Sequence, residues 1–518
     1  MSLDMFKISN QFNNRILDRK ALNLSKGRVG IEKESLRISD SKISKKSHYS
    51  ELGSALCNKY ITTDFSEALL EFITPPSTRN NRTYEFLEDI HSFVSSRIGD
   101  ELLWPFSMPL ETSSENDIPI AEYGSSNIAR FKTIYRHGLS NRYGRRMQAI
   151  SGLHFNYSLA EDIWDNNFLS NDSEKISNEK SLVYFGGIRN LKRMNWLILY
   201  LFGASPIVPK SLISNDYDGL VSLDSNYYYL PYSTSLRMSD IGYQTNYQND
   251  LQISPNSLDK YLSDLLSATN KRSTIFRKIP EKSNNEYSQL NANILQVEDE
   301  YYSSSRPKST NHENKRMLLK LKSGGVDYIE FRSLDINPFH KSGIDIDTIY
   351  FLELFMMYCC IKDSPMMSRD EQKNSRSNTL KVSKEGRRND ILLLRNLQKV
   401  TIKDWSKNIF DEMIEIAENL EESSKYLGAI EKSKALIGSP DNTPSGLILD
   451  MVLSGKSSIE ELGNEIAKKN KDAFLERNIN SFLFLDNEVE ESIDRQKKLE
   501  TKSSKLFEDY LEDYLASY

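Results

Sequence analysis

The run Gly30-Ile31-Glu32-Lys33-Glu34-Ser35-Leu36-Arg37-Ile38 constrains this chain more than any other. It reads as a β-strand. Side chains alternate along a strand, so Glu32 and Glu34 share a face, about 7 Å apart at a rise of about 3.3 Å per residue. Two carboxylates on one face repel each other unless a cation lies between them. Their spacing suits neighbouring divalent ions that hold a polyphosphate.

The same charged face returns later in the chain. In Met147 to Ser158, Leu153, Phe155 and Tyr157 fall on one side, and Gln148, His154 and Asn156 on the other. In Val326 to Arg332, Ile329 and Phe331 oppose Glu330 and Arg332. A carboxylate beside a guanidinium can form a structural pair, or can divide cation binding from phosphate binding. Glu67 and Glu71 share a face whether 62–75 is strand or helix, and Asp64 precedes them in a loop. Glu71 lies in an apolar run, where a carboxylate needs a partner. Together Glu32, Glu34, Glu71, His154 and Glu330 make a hard-ligand face with Arg332 among them. Oxygen-rich ligands without sulfur favour Mg²⁺ or Mn²⁺ over Zn²⁺. Such ions beside an arginine point to phosphoryl transfer. The chain has neither a Gly-x4-Gly-Lys-Ser/Thr loop nor a Gly-x-Gly-x-x-Gly turn, so ATP would lie on the sheet through its metals.

Composition narrows the setting. The 518 residues carry 67 basic and 73 acidic side chains, a net charge of −6 that leaves no electrostatic footprint for nucleic acid. No basic-then-apolar leader opens the sequence. The most apolar stretch, 196–208, falls short of the roughly 20 residues that span a bilayer. Three cysteines without metal spacing suit a reducing, cytoplasmic protein without disulfides. The Ser, Asn, Lys and Ile enrichment, as in 41–47, reads as composition bias.

Along the chain, residues 1–26 read as a helical lead-in. Strands are expected at 29–38, 68–74, 147–159, 293–299 and 326–336, and helices at 83–97, 180–208, 261–268 and 345–361. Residues 363–390 read as a charged surface loop. The remainder reads as almost wholly helical, with amphipathic segments near 391–400, 404–420 and 458–486. Strands and helices do not alternate regularly, so the fold class is α+β. We divide the chain into a catalytic region, 1–375, and a mostly helical region, 376–518, packed on it.

Seven blocks carry a specific resemblance: GIEKESLR (30–37), ITTDFSEALLEFITPP (61–76), EYGSSNIARFKTIYRHGLSNRYG (122–144), QAISGLHFNYSL (148–159), LFGASP (201–206), YYLPYSTSLRMSDIGY (228–243) and YIEFRSLDINPF (328–339). In this order they resemble glutamate–cysteine ligases of the proteobacterial type, from about residue 25 to 345. The resemblance implies ATP- and Mg²⁺-dependent joining of the glutamate γ-carboxylate to the cysteine amine, the first step of glutathione synthesis. It also implies a glutamine-synthetase-like fold, a curved antiparallel sheet with helices outside. By motif, Glu32, Glu34, Asp64, Glu71, His154 and Glu330 are implied as metal ligands, with Glu330 and Arg332 at the transferring phosphoryl group. Phe65, Tyr135, Gln148, Tyr243 and Tyr302 are implied at the cysteine pocket, and Arg237 at an amino-acid carboxylate. Arg136 is implied at an anion, and Glu67 is grouped with the substrate-binding residues. In 377–388 the family's tryptophan is missing although Glu385-Gly386-Arg387 remains, so that segment stays out of the site. Partners are expected to be small molecules, with no nucleic acid or membrane, for a monomer.

Two rivals remain at this point. One is a related carboxylate–amine ligase with another amine acceptor. The other is a non-catalytic nucleotide-binding regulator, which the full set of acidic ligands argues against. Residues 391–518 are too short for a second ATP-dependent ligase domain.

Overall fold

A computed structural model describes residues 24–164, 173–213, 217–242, 248, 251–284, 286–311, 316–477, 482–502 and 505–516. Its centre is an antiparallel sheet. Six strands form the main path: β1 (Arg28–Ser39), β2 (Ile61–Thr63), β3 (Leu69–Ile73), β4 (Leu153–Ser158), β5 (Ser305–Lys308) and β6 (Tyr328–Leu334). Their order across the sheet is β5-β6-β4-β1-β3-β2, and residues 42–43 and 102–103 add short strands to the far end of β1.

Period-two alternation splits this sheet into a packing face and a charged face. Ile31, Phe155 and Phe331 lie side by side in register, as do Val29, Tyr157 and Ile329. All six are fully buried. Against the packing face lie α1 (Asn80–Ser95), α3 (Ser173–Phe202) and α4 (Ile346–Ile361), while α2 (Asn127–Tyr143) lies elsewhere. The 30 residues of α3 make a rod of about 45 Å at 1.5 Å per residue. From Tyr350 to Cys360, α4 is buried all round, as a helix covered on every side must be.

The carboxy-terminal helices pack around this unit. Helices α6 (Ile402–Ala417) and α7 (Ser423–Gly438) lie on α4, α8 (Ile459–Leu475) and α9 (Phe482–Lys502) on α1, and α10 (Phe507–Ala516) on α2. No helix among the described residues is long and apolar enough to cross a membrane.

The α+β class and the expected strands at 29–38, 68–74 and 326–336 are borne out, as are the helices at 83–97, 261–268 and 345–361; the long helix expected over 180–208, ending near Gly203, ends at Phe202, and Ile207–Pro209 is strand. Four further expectations need correction. Residues 145–148 form a helical turn, so only 153–158 of the 147–159 segment is strand. The 293–299 segment is no strand; a 3-10 turn begins at Glu298. Within 363–390 a full helix, α5 (Arg369–Glu385), is capped by Ser368, whose hydroxyl accepts from the Glu371 amide at 3.1 Å. Its buried side is Asn378, Thr379, Val382 and Ser383, too polar to show an apolar stripe. Residues 391–400 are not helical: Leu392–Arg395 pairs with Gln398–Thr401 around Asn396 and Leu397. Those two residues have φ of 50° and 66°, the left-handed pair that a two-residue hairpin turn demands. The 375/376 division falls inside α5, and of the 1–26 lead-in all but the last turn lies outside the described residues.

In α4, Glu353 is buried, and one carboxylate oxygen accepts from Asn80 Nδ2 (2.5 Å) and Tyr426 Oη (2.8 Å). Burial pushes its pKa from 4.5 up to about 7 despite those bonds. A folded-state pKa above the unfolded one favours folding at low pH, and that contribution disappears as pH rises from about 4.5 through about 7. At about 1.4 kcal/mol per unit the loss is about 3 kcal/mol. Glu353→Gln keeps both bonds without the charge. Thermal unfolding at pH 5 and pH 8 is expected to show the variant losing less stability across that interval than the wild type; equal losses would contradict this.

Candidate active site

Strand register assembles the charged face. Glu34 on β1 stands opposite Glu71 on β3, and Glu32 stands opposite His154 on β4. One strand further, Glu330 on β6 stands opposite Asn156. His154 Nδ1 lies 3.2 Å from Glu32 and 3.6 Å from Glu330, and its Nε2 lies 3.7 Å from Glu34. Asn156 Nδ2 donates to the other Glu32 oxygen at 2.8 Å, and the Gly152 amide donates to Glu34 at 2.5 Å. Glu34, His154 and Glu330 are nearly sealed from solvent, at 4%, 4% and 1% exposure.

Charge is distributed unevenly over this face. Burial opposes ionisation of Glu330, but Lys308, Arg332 and His154 together hold its carboxyl well below the usual range. Lys308 Nζ lies 3.3 Å and Arg332 Nη1 3.1 Å from the Glu330 oxygens. Glu32 is also lowered, its hydrogen bond to His154 and the nearby Lys308 outweighing burial and Glu330. At the other end the balance reverses. Burial, then the charge of Asp64, pushes Glu34 up to about 8 against Arg237 and Arg332. Glu71 is raised well above the carboxylate range by burial and by Glu32, Asp64, Glu34 and Glu330. Burial and Arg332 lower His154, which favours the neutral imidazole that a metal requires.

These donors suit a divalent ion. Single ligand atoms of Glu32, His154 and Glu330 lie within 4.8 Å of one another, and the crowded carboxylates of Glu34 and Glu71 lack the positive charge that would let both ionise. Asp64 sits in the turn before β3, its amide donating to Leu69 O at 3.0 Å. Its charge acts on Glu34 and Glu71, although it is not one of the converging three.

The remaining expected residues are scattered around this face. Arg237 is buried, 3.6 Å from Asp335, and donates to the Arg332 carbonyl at 3.1 Å. Tyr302 Oη contacts Met238 Sδ at 3.1 Å, and Tyr302 lines a cleft of about 400 Å³. That cleft also presents Lys192, Lys373, Arg369 and Arg376. Tyr135 is half-buried at the edge of the Phe131–Ile134 cluster, and Gln148 closes the 145–148 turn, also half-buried. Arg136 stacks over Tyr123 at 4.6 Å and donates to the Asp64 carbonyl at 2.5 Å. Two residues are turned away from the cluster. Phe65 is buried in an apolar cluster with Leu36 and Ile118, and Glu67 binds the His48 and Glu122 amides at 2.5 and 2.6 Å. Tyr243 lies outside the described residues. Lys308 also reaches this face, since Arg306-Pro307-Lys308 puts two cations on one strand face. Lys192 gave no signal, since a lysine on a long helix resembles any other.

A central antiparallel sheet with helices packed around it gives the chain the fold of glutamine-synthetase-like ligases. A model of the glutamate–cysteine ligase family matches residues 14–382. A glutamate–cysteine ligase of Alcanivorax borkumensis is 42% identical over 506 residues, 95% of this chain and 96% of that one. Another, from Aliivibrio salmonicida, is 40% identical over 496 residues, 94% and 95% of the two chains. The crystal structure of glutamate–cysteine ligase from Francisella tularensis in complex with AMP aligns with a TM-score of 0.89 at 33% identity, over 95% of this chain and 98% of that one. A bifunctional glutathione synthetase of Pasteurella multocida shares the fold, with a TM-score of 0.71 at 24% identity over 90% of this chain and 55% of that one. The chain belongs to the glutamate–cysteine ligase family.

Gly152 links the site's parts, because a Cβ there would stand 1.8 Å from Arg237 Nη2. Gly152→Ala is expected to drive the guanidinium off its seat and to lower turnover by about 100-fold, the usual cost of a misplacement near 1 Å. Steady-state kinetics on the folded variant check this, and wild-type turnover would show that Arg237 can move freely.

Proposed function

We propose that this protein uses ATP to join the γ-carboxylate of L-glutamate to the amine of L-cysteine, giving γ-glutamylcysteine, ADP and phosphate, the first step of glutathione synthesis. The observation that carries this reading is the converging trio of Glu32, His154 and Glu330 flanked by Lys308 and Arg332. Family membership supplies the substrates, and the AMP bound to the Francisella tularensis relative supports an adenine nucleotide.

In the first step a γ-carboxylate oxygen of glutamate attacks the γ-phosphorus of ATP, the bond to the bridging oxygen breaks, and ADP leaves. Arg332 offers a planar guanidinium to the oxygens of the transferred group. Lys308 holds Glu330 ionised and in place. In the second step the deprotonated cysteine amine attacks the acyl carbon, and phosphate departs with the electrons of the C–O bond. The acyl phosphate has to be kept from water, a need that the low exposure of Glu34, His154 and Glu330 suits. Held by Glu32, His154 and Glu330, with Glu34, Glu71 and Asp64 close by, Mg²⁺ or Mn²⁺ would neutralise phosphate charge when bound. The basic cleft beside Tyr302 fits anionic small molecules. In this reading Arg237 holds an amino-acid carboxylate, and Tyr135, Gln148, Tyr243 and Tyr302 shape the cysteine pocket. Arg136 positions the Asp64 loop. The three free thiols suit a cytoplasmic enzyme, and a monomer remains the expected state. Helices beyond residue 376 brace the catalytic region.

The test is ADP release with ATP, glutamate, cysteine and Mg²⁺, each omitted in turn, for wild type and Glu330→Ala. Release is expected to need all four, and to fall about 1,000-fold in the folded variant, in the range for losing a preorganised charge at the reacting group. Near-normal turnover in the variant would remove Glu330 from the site. A higher kcat/KM with a non-thiol amine would replace cysteine as the acceptor.

A further inference from the structure

The alternation that aims Glu32 and Glu34 at the active site aims Lys33 the other way, between Phe72 and Leu153 on the packing face. Lys33 is 3% exposed, and its Nζ donates to Ser35 Oγ at 2.8 Å. Among the described residues no carboxylate pairs with it. Burying an ammonium this way is costly unless an anion accompanies it.

Lys33 lines a small cavity with His91, Trp104, Lys341, Lys471 and Phe474. His91 is 2% exposed, and neither of its ring nitrogens has a partner. Its ring is stacked on Phe474 at 4.8 Å and meets Phe72 edge-on at 4.9 Å, so packing fixes where those nitrogens lie. Lys341 lies 2.8 Å from Glu88, but that carboxylate also pairs with Arg477. Lys471 donates to the backbone carbonyls of Gly99 and Glu101. At the rim His340 faces Asp345 at 3.5 Å. Three lysine side chains thus line one cavity, and among the described residues the one carboxylate within ion-pair distance of any of them is shared. Gly343, with φ of +78°, lets its loop close over Lys33; a Cβ there would come within 2.7 Å of Lys33 Cε. The space amounts to about 20 Å³, room for one particle the size of a water molecule and too little for phosphate or a carboxylic acid.

We propose that this cavity is a binding site for one small monovalent inorganic anion of chloride size, held by Lys33 with His91 as a ring N–H donor. The anion supplies the counter-charge that the fold omits, and it does so directly behind the strand that carries Glu32 and Glu34. This stands apart from the ligase reading, because occupancy can be read without turnover.

The experiment compares Tm of the full chain in sodium chloride and sodium gluconate at equal ionic strength, and locates bromide by anomalous diffraction. A bromide peak inside the cavity is expected, with Tm higher in chloride by roughly 1 °C, as linkage predicts for a ligand near ten times its Kd in a chain of this length. Lys33→Met is expected to lose the chloride response. Should that variant not fold, His91→Phe, which preserves the aromatic stack, is expected to weaken the response. Equal Tm values without a bromide peak would overturn the proposal and leave the cavity to water. A peak without a Tm response would mean an adventitious ion only, which also overturns it.

Discussion

Glu34 and Glu71 stand directly opposite each other on neighbouring antiparallel strands, and the rest of the site is arranged around that repulsion. Like charges in such a pair destabilise a sheet, since the facing Cβ atoms are only about 5 Å apart. The fold tolerates it because the reverse of the same strands is wholly committed to core. Ile31, Phe155, Phe331 and Phe72 are excluded from water, and helices α3 and α4 lie against that side. A one-residue slip of β1 would exchange the two faces, placing carboxylates in the core and Ile31 in the site. Core and charge therefore lock the same register.

The charge across this face is graded. At the β5–β6 end, Lys308 and Arg332 hold Glu330 ionised. At the β3 end, burial and the charges of Glu32, Asp64 and Glu34 push the Glu71 carboxyl well above the usual range. Solvent cannot relieve the difference, because Glu34 and Glu330 are both sealed. The acidic end thus has the greater demand for added positive charge, while the basic end suits a group that is itself negative. A nucleotide phosphate bridged to cations matches both ends at once, which favours phosphoryl transfer over a purely structural ion site.

Much of this was legible in the sequence, for a physical reason. Strands β1, β4 and β6 alternate cleanly because one face is dry and the other charged, so Glu32, Glu34, His154, Glu330 and Arg332 announced themselves. Helices α1 and α4 were readable from apolar spacing. Where burial is polar the signal failed: α5 buries Asn378, Thr379 and Ser383, and passed for a loop. The 392–401 hairpin failed differently, since its left-handed turn uses Asn396 and Leu397 instead of glycine. Glu67 shows the limit of spacing. Four residues from Glu71, it would share its face in an unbroken strand or helix, but β3 starts only at Leu69. The turn before it sends the Glu67 carboxylate to two backbone amides. Lys308 required tertiary register, because nothing local pairs it with Glu330.

That register has to be supported at its weakest edge, and the support comes from the far end of the chain. Beyond β3 the sheet has only β2, three residues long, so Glu71 and the Asp64 turn lie near an open margin. Helix α9 reaches this margin. Ser492 Oγ accepts from the Ser54 amide at 2.9 Å and Glu488 from the Lys59 amide at 2.9 Å, fixing the segment that leads into β2. Gln496 donates to the Tyr123 carbonyl at 3.3 Å, and Tyr123 Oη in turn donates to the Thr63 and Asp64 carbonyls, at 2.9 and 3.0 Å. Arg136 closes the same arrangement from α2, stacking on Tyr123 while binding Asp64. The helical region therefore belongs to the geometry of the site, although it lies outside the charged face. It holds the acidic end of the sheet, where repulsion is greatest and the sheet itself offers least.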